Sequence, residues 1–564
     1  MSHKKKLIIV TAVVVFLLTI GIVCGISTLE SSRKMHVEIT DFVYSTFLGG
    51  DESPSLDEDH IRDVITDSSD NIIITGHTVS TNFPIQDAFQ DTFAGGGYDN
   101  HGVCGDAFVT KFNRDGQLVW STYFGGSSID GGLFVEVVES DNIIVVGICQ
   151  SNDFPITIDA YQQDHYGYYD IFIAKFSGNG SLLYSSYLGT AGDDRVNDCE
   201  LDSAGNLVLS GGTNSANFPV TPDAAQPVMV GGSDGFLMRV SANCSTILYS
   251  TFLGGSSYEG IDKITLDHQD NIIVTGFTGS LDFPVTEDAF QDSIGSVFQR
   301  DFFLAKYDSF GQLIYATYFG GSHMDDCFGV AVDSVGDIIM TGRTWSSDFP
   351  TVNAWQENYS YIEVDGFVTK LSADGQELIF SSYFGGSEWD TIHHVDIDSE
   401  NNIYVSGIAG PNGLPIINAF QMEHSESCDV IIMKISPTGQ PLFGSYLGGV
   451  GQDHPWHQFF SDNYLYIVGF TASSDFLITN DAYQQTLRGT QDGFLFRFDI
   501  GGYLAAFPPE SSQTASIPLI DTTSMMTTET TNIAETTTSF DTYLIIIGFL
   551  ALIAIGLRNC KNRE

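Results

Sequence analysis

Residues 44–50 read YSTFLGG, and close variants recur as WSTYFGG from Trp120, YSSYLGT from Tyr184, YSTFLGG from Tyr249, YATYFGG from Tyr315, FSSYFGG from Phe380 and FGSYLGG from Phe443. Subtracting successive starts gives steps of 76, 64, 65, 66, 65 and 63 residues. A near-constant period decides the architecture before any single residue does. Between Gly260 and Gly320 one repeat spells out its elements. Ile261–Leu266 is a short alternating run, 267–271 is turn-rich, and Ile272–Thr278 is β-branched. After an irregular stretch, 279–300, come Asp301–Tyr307, a turn at 308–311, and Leu313–Tyr318. Four short strands rich in Val, Ile, Thr, Tyr and Phe, with no sustained helical period, predict an all-β repeat.

Seven such repeats punctuated by glycine predict a seven-bladed β-propeller with four antiparallel strands per blade. The motifs carry a specific resemblance. The YSTFLGG type is joined in each repeat by stretches such as Asp267-His-Gln-Asp-Asn-Ile-Ile-Val-Thr-Gly276, Phe283-Pro-Val-Thr-Glu-Asp-Ala-Phe-Gln291 and Asp365-Gly-Phe-Val-Thr-Lys370. Together they resemble the SBBP family of seven-bladed β-propeller repeats over roughly residues 42–500. The resemblance implies the fold and no defined activity. By analogy with other propellers, Ile261–Leu266 is an inner strand a, Ile272–Thr278 is b, Asp301–Tyr307 is c, and the opening motif is the outer strand d. Blade 1 then starts near His60, and blade 7 draws its outer strand from residues 42–48, which closes the ring and removes an exposed edge. The alternative outer strand is 503–507.

Lys+Arg is 22 and Asp+Glu is 71, a formal charge of 22 − 71 = −49. Such a surface repels phosphate backbones, which excludes nucleic acid as a partner. Lys4-Lys-Lys6 before the apolar run 7–23 reads as a signal peptide or signal anchor over residues 1–27. The expected propeller spans 36–507, followed by a Thr-rich stalk at 508–541, a transmembrane helix at 542–557 and a basic cytoplasmic tail at 558–564. This predicts a single-pass cell-membrane protein with an extracellular propeller. Sequons at Asn179, Asn243 and Asn358 permit glycosylation. The body's cysteines, 104, 149, 199, 244, 327 and 428, include no C-x-x-C, so zinc chemistry has no support.

Asp-rich a–b turns such as 67–71, 202–206, 333–337 and 398–402 read as local turn chemistry, because they lack the full ligand spacing of a calcium loop. The b–c and d–a loops are long and share one face, where function on a rigid scaffold concentrates. The b–c loops carry Phe-Pro at 83, 154, 218, 283 and 349, which reads as an aromatic packed onto its blade. Eight residues before the turn position stand Asp59, Gly131, Asp194, Glu259, Asp325, Asp390 and Asp453. This nearly complete acidic ring is a ligand-binding candidate for Ca²⁺ or another cation, and its plainer role is to accept N–H groups of its own glycine loop. Four residues before the turn stand Asp63, Val135, Asp198, Lys263, Gly329, His394 and His457. Period-two alternation makes these a channel-facing row, in which Asp63, His394 and His457 could hold a transition metal. In blade 1, Gly95-Gly-Gly97, Tyr98, Asp99 and His101 cluster oxygens that could bind Ca²⁺, and their plainer reading is a solvated loop.

No residue set is read as catalytic. The sequence favours a cell-surface recognition or adhesion propeller, or a scaffold, that binds a protein or glycan through its long-loop face. The rivals are an extracellular metal-assisted glycan hydrolase or lyase at the channel, and a structural envelope component. No sialidase-type S-x-D-x-G-x-T-W box is present.

Overall fold

In the computed structural model the described residues are 39, 42–51, 58–97, 103–295, 300–360, 364–386, 388–410, 414–425 and 427–506. Among them the strands form seven four-stranded antiparallel sheets. Blade 1 is Asp59–Thr66, Ile72–Thr78, Asp106–Phe112 and Leu118–Phe124. Blade 2 is Asp130–Val138, Asn142–Cys149, Asp170–Phe176 and Leu182–Leu188, and blade 3 is Asp194–Leu201, Leu207–Thr213, Asp234–Val240 and Ile247–Leu253. Blade 4 is Glu259–Leu266, Ile272–Thr278, Asp301–Tyr307 and Leu313–Phe319. Blade 5 is Asp325–Val332, Ile338–Thr344, Asp365–Leu371 and Leu378–Phe384, and blade 6 is Thr391–Ile397, Ile403–Ala409, Asp429–Ile435 and Pro441–Leu447. Blade 7 is Asp453–Ser461, Tyr464–Thr471 and Asp492–Asp499, with Val43–Leu48 as its outer strand. The alternative, 503–507, fails because Ile500–Ala506 is a short helix whose Tyr503 hydroxyl donates to Asn418 O (3.1 Å).

The a strands touch one another in cyclic order, that of blade 7 against that of blade 1 included. The b and c strands are buried almost throughout because both sheet faces are covered by neighbouring blades. The core is therefore a series of layers between blades. Val208, Leu237 and Leu253 of blade 3 pack on Ile261, Ile264 and Ile272 of blade 4. Tyr466, Val468 and Leu495 of blade 7 pack on Ile61, Ile72 and Phe108 of blade 1. Phe83, Phe154, Phe218, Phe283 and Phe349 are buried against Phe108, Phe172, Phe236, Phe303 and Phe367, with ring centroids 4.5–4.7 Å apart.

The opening motif is accounted for residue by residue. Its first aromatic reaches the next blade's c–d turn: Tyr44 Oη donates to Gly116 O (3.0 Å), Trp120 Nε1 to Gly178 O (3.1 Å) and Tyr315 Oη to Gly375 O (2.6 Å). The Ser or Thr two residues on accepts the backbone N–H of a b–c loop glutamine, as Thr122 does from Gln90 (2.8 Å). The next tyrosine donates to a loop carbonyl, as Tyr123 does to Ser80 (2.8 Å). The first glycine N–H goes to the glutamine side chain, Gly125 to Gln90 Oε1 at 3.1 Å. The second goes to an acid of the next blade, Gly126 to Asp130 Oδ2 at 2.7 Å. A Cβ on Gly125 would lie 2.7 Å from the Asp106 carboxylate, which excludes any side chain there.

Candidate functional site

The acidic ring is complete and buried. Asp59, Asp194, Glu259, Asp325, Asp390 and Asp453 are at most 1% exposed, so they are not open ligands at the channel mouth. Each accepts the second-glycine N–H or its equivalent, from Gly50, Thr190, Gly255, Gly321, Gly386 and Gly449. The seventh member is Asp130 rather than Gly131. Blade 2 has one extra residue in its a strand and a 3-10 turn, Glu139–Asp141, in place of the Asp turn, which shifts the register by one. The same shift puts Phe134, not Val135, in the channel-facing row.

A second acid ring escaped the sequence reading although its signal was present. Asp106, Asp170, Asp234, Asp301, Asp365, Asp429 and Asp492 open the seven c strands and are fully buried. Each accepts loop N–H groups, as Asp106 does from Ala94 (2.7 Å) and Asp170 from Tyr166 (2.8 Å). Each lies beside the a-strand acid of the next blade, and the two repel. Burial pushes Asp106 up to about 8 and Asp59, Asp130, Asp170, Asp301 and Asp325 up to about 7 against the hydrogen bonds, which lower them, and the partner's charge adds to the rise at Asp106, Asp59, Asp170 and Asp301. At the turn acids Asp67, Asp267 and Asp398, burial raises the pKa, but hydrogen bonds and a neighbouring lysine outweigh it and the net shift is downward. Asp67 accepts from Ser69 N and Asn71 N (2.9 and 3.0 Å) and pairs with Lys111 (2.7 Å). Asp202–Arg239, Asp267–Lys306, Asp333–Lys370 and Asp398–Lys434 repeat that pair.

Every a strand carries a β-bulge at the same place, where one residue has no partner on strand b. The bulged residues are Arg62, Leu133, Asn197, Asp262, Phe328, His393 and Trp456, a row that strict period-two alternation cannot reveal. The next residue in each strand belongs to the predicted row, and three of these do converge. His457 Nδ1 lies 2.6 Å from Asp63 Oδ1, and the His394 and His457 rings are 5.1 Å apart. Asp63 also accepts from Val64 N at Oδ1 and Val135 N at Oδ2, both 2.7 Å. Both carboxylate oxygens are thus engaged, and among the described residues no group of three or more His, Cys, Asp or Glu is placed to hold a metal. The arrangement is an ion pair. Burial lowers the His457 pKa, but Asp63 outweighs it and the net shift is upward. His394 has no such partner and burial holds it well below the usual histidine range.

Above this pair, where strands a begin and strands b end, an arc of rings and guanidiniums runs from blade 4 to blade 1. Arg300 stacks on Phe277 (4.9 Å) and pairs with Asp326 (2.9 Å), which also binds Arg343 (3.0 Å). Arg343 lies over Phe328, Trp345 and Trp389, at 5.0, 4.8 and 5.5 Å. Phe328 meets His393 (5.8 Å), His393 meets His454 (4.8 Å), and His454 meets Trp456 (4.6 Å), over which Arg62 lies at 3.9 Å. Phe470 joins His454 to His60, which contacts His77 at 4.9 Å. Of the chain's 13 histidines and 5 tryptophans, His60, His77, His393 and His454 and Trp345, Trp389 and Trp456 sit here. Burial keeps these imidazoles neutral, with His60 lowered to about 3 and His393 to about 4. The arc offers aromatic faces, neutral imidazoles and arginines, with the carboxyls of Asp326 and Asp262 beside Arg300. It suits binding rather than proton transfer.

The sequons Asn179, Asn243 and Asn358 are exposed, the first two on c–d turns and the third on a b–c loop. Cys149, Cys199, Cys244 and Cys327 are buried free thiols. Tyr98, Asp99 and His101, and the segments 1–27, 508–541, 542–557 and 558–564, lie outside the described residues. Among the described residues no helix is long and apolar enough to cross a membrane.

The sheets and their cyclic contacts define a seven-bladed β-propeller. The family model for SBBP, described as a beta-propeller repeat, matches residues 314–350, so the chain carries that repeat. A relative is the uncharacterized WD repeat-containing protein L264 of Acanthamoeba polyphaga mimivirus, 22% identical over 235 residues, or 37% of this chain. The match spans 17% of that protein's length. Solved structures with similarity include BBS1N in complex with ARL6DN (TM-score 0.36, 9% identity, 80% of this chain and 97% of that one). A europium-containing methanol dehydrogenase matches at TM-score 0.32 and 10% identity, over 78% of this chain and 81% of that one. A Bacteroides caccae protein of unknown function matches at TM-score 0.25 and 7% identity, over 60% and 94%. These likenesses carry no argument about activity.

Proposed function

We propose that the protein is a cell-surface recognition or adhesion propeller that binds a protein or glycan on its long-loop face, centred on the channel mouth. The observation that carries this is the contrast between the two kinds of position. Residues repeated in the blades are spent on hydrogen bonds between blades, whereas the rings and arginines of the arc, which crosses blades 4 to 1, occupy positions at which the blades differ. The outer strand Val43–Leu48 closes the ring on this reading. The N-terminal segment directs export, the stalk lifts the body, the 542–557 segment anchors it with the tail in the cytoplasm, and the three sequons are glycosylated. A binding screen of extracellular proteins and glycans tests the reading with the full chain and an Arg62→Ala/Trp456→Ala variant. A ligand captured by the first and lost by the second supports it. Ligands that bind both equally, or turnover of a glycan, would overturn it.

A further inference from the structure

The cleft between blades 2 and 3 carries a separate observation. A cavity of about 370 Å³ opens there on the long-loop face, a size that accommodates a small ligand. Tyr161 and Tyr166 come from the blade 2 b–c loop, Thr190 from the d–a segment, and Asn217 and Pro219 from the blade 3 b–c loop. No residue lining it is charged, in a chain of formal charge −49. The sevenfold pattern breaks at this point. Six copies of the opening motif end in Gly-Gly, and this one ends in Gly189-Thr190.

The threonine keeps the backbone role of the glycine it replaces, since its N–H donates to Asp194 Oδ2 at 2.6 Å. Its hydroxyl is buried in the cleft wall without a hydrogen-bond partner, a costly state that a ligand hydroxyl would relieve. The two tyrosines are 47% and 50% exposed although their backbone is fixed. Tyr161 N donates to Tyr184 Oη (3.0 Å) and Tyr166 N to Asp170 Oδ2 (2.8 Å). Aromatic faces that stay open to solvent on an anchored backbone offer a ligand a partly pre-organised surface.

We propose that this cleft binds a neutral pyranose sugar. Its C–H faces lie on Tyr161 and Tyr166, and its hydroxyls hydrogen-bond Thr190 and Asn217. A purely apolar ligand would leave the Thr190 hydroxyl and Asn217 amide unpaired, and an anion would meet no cation in the lining. The proposal rests on the recognition reading for the choice of face, but not on the channel mouth.

The test is saturation-transfer NMR on the full chain in a non-glycosidic detergent. The probes are the methyl glycosides of glucose, galactose, mannose and N-acetylglucosamine, with tetramethylammonium as a cationic control. At least one glycoside is expected to receive saturation, with a loss of roughly tenfold or more in affinity in Tyr166→Ala and in Thr190→Gly. Thr190→Gly restores the residue of the other six repeats and so leaves the fold intact. Trp456→Ala should bind the glycoside normally. Silence from all four glycosides, or binding unchanged in both cleft variants, overturns the proposal. Saturation of tetramethylammonium alone overturns it in favour of a cationic ligand. Glycoside binding lost only in Trp456→Ala moves the sugar to the channel mouth, which sinks this inference and spares the recognition reading.

Discussion

Raising the pH from 6.5 to 8 should destabilise this acidic protein, and the reason lies in the paired carboxyls between blades. Asp106 is held at about 8, Asp59, Asp130, Asp170, Asp301 and Asp325 at about 7, and Asp365 and Asp453 at about 6, chiefly by burial. Folded carboxyls that keep protons the unfolded chain has already released give stability present at low pH and lost as pH climbs through the folded values. Between pH 6 and 8 each acid held near 7 or 8 contributes a loss of about 1–2 kcal/mol. From these eight alone, unfolding at pH 7 releases on the order of three to four protons. The neutral histidines work the other way, chiefly below about 6.5, since the unfolded chain takes up protons that His60, His77, His393, His394 and His454 refuse; at pH 7 they still take up roughly one proton together, so the net release is roughly two to three. From pH 6.5 to 8 the acids outweigh these histidines, and His457 adds in the acids' direction because its folded pKa is raised. Calorimetric unfolding at pH 7 in phosphate and in Tris counts the released protons from the difference in enthalpy. Asp106→Asn, whose Oδ1 has no hydrogen-bond partner, should flatten the pH slope and remove roughly one proton. A melting temperature that rises from pH 6.5 to 8, with no proton release, would refute the argument.

Other outcomes are expected from the same contacts. Tyr318→Phe removes the hydrogen bond to Ser280 O (2.7 Å) and should cost about 1 kcal/mol in denaturant titration. Blades 3 and 7 already carry Phe252 and Phe47 at that position, so Phe252→Tyr should not destabilise by more than the packing of one hydroxyl. His457→Ala strips Asp63 of its cation and should cost about 1–3 kcal/mol without changing metal content by elemental mass spectrometry. One transition-metal ion per chain, lost in that variant, would restore the metal reading. Phe47→Pro deletes the N–H that donates to Gln484 O (3.2 Å) and should open blade 7 to limited proteolysis before global unfolding.

The fold was legible because it is written seven times. Strand types, the Phe-Pro packing and the turn role of Asp67 follow from local patterns that each repeat states independently. The site was less legible for two physical reasons. A bulge leaves one residue of each a strand without a partner and out of strict alternation, so Arg62, His393 and Trp456 fall outside the row that alternation predicts. One extra residue in blade 2 hid Asp130 behind Gly131. The c-strand acids were visible as a repeated Asp, yet their pairing with the next blade's acid depends on chain segments brought together only in the ring.

A sevenfold scaffold separates stability from recognition by subtraction. Where all copies agree, the shared residue has a measurable structural partner: the first glycine donates to glutamine, the second to an acid, the hydroxyl accepts the glutamine N–H. Such positions cannot distinguish one ligand from another, because changing them costs the fold first. Where copies disagree, nothing in the blade requires the particular residue found. Arg343 among three aromatic rings and Thr190 in a glycine's place are of this kind. Both sit on the face formed by the long b–c and d–a loops, and neither is repeated in another blade. Substitution of Thr190 should therefore change binding at nearly constant stability, substitution of Arg343 should also cost the pair with buried Asp326, and substitution of Gly125 or Asp130 should change stability first and binding only as a consequence.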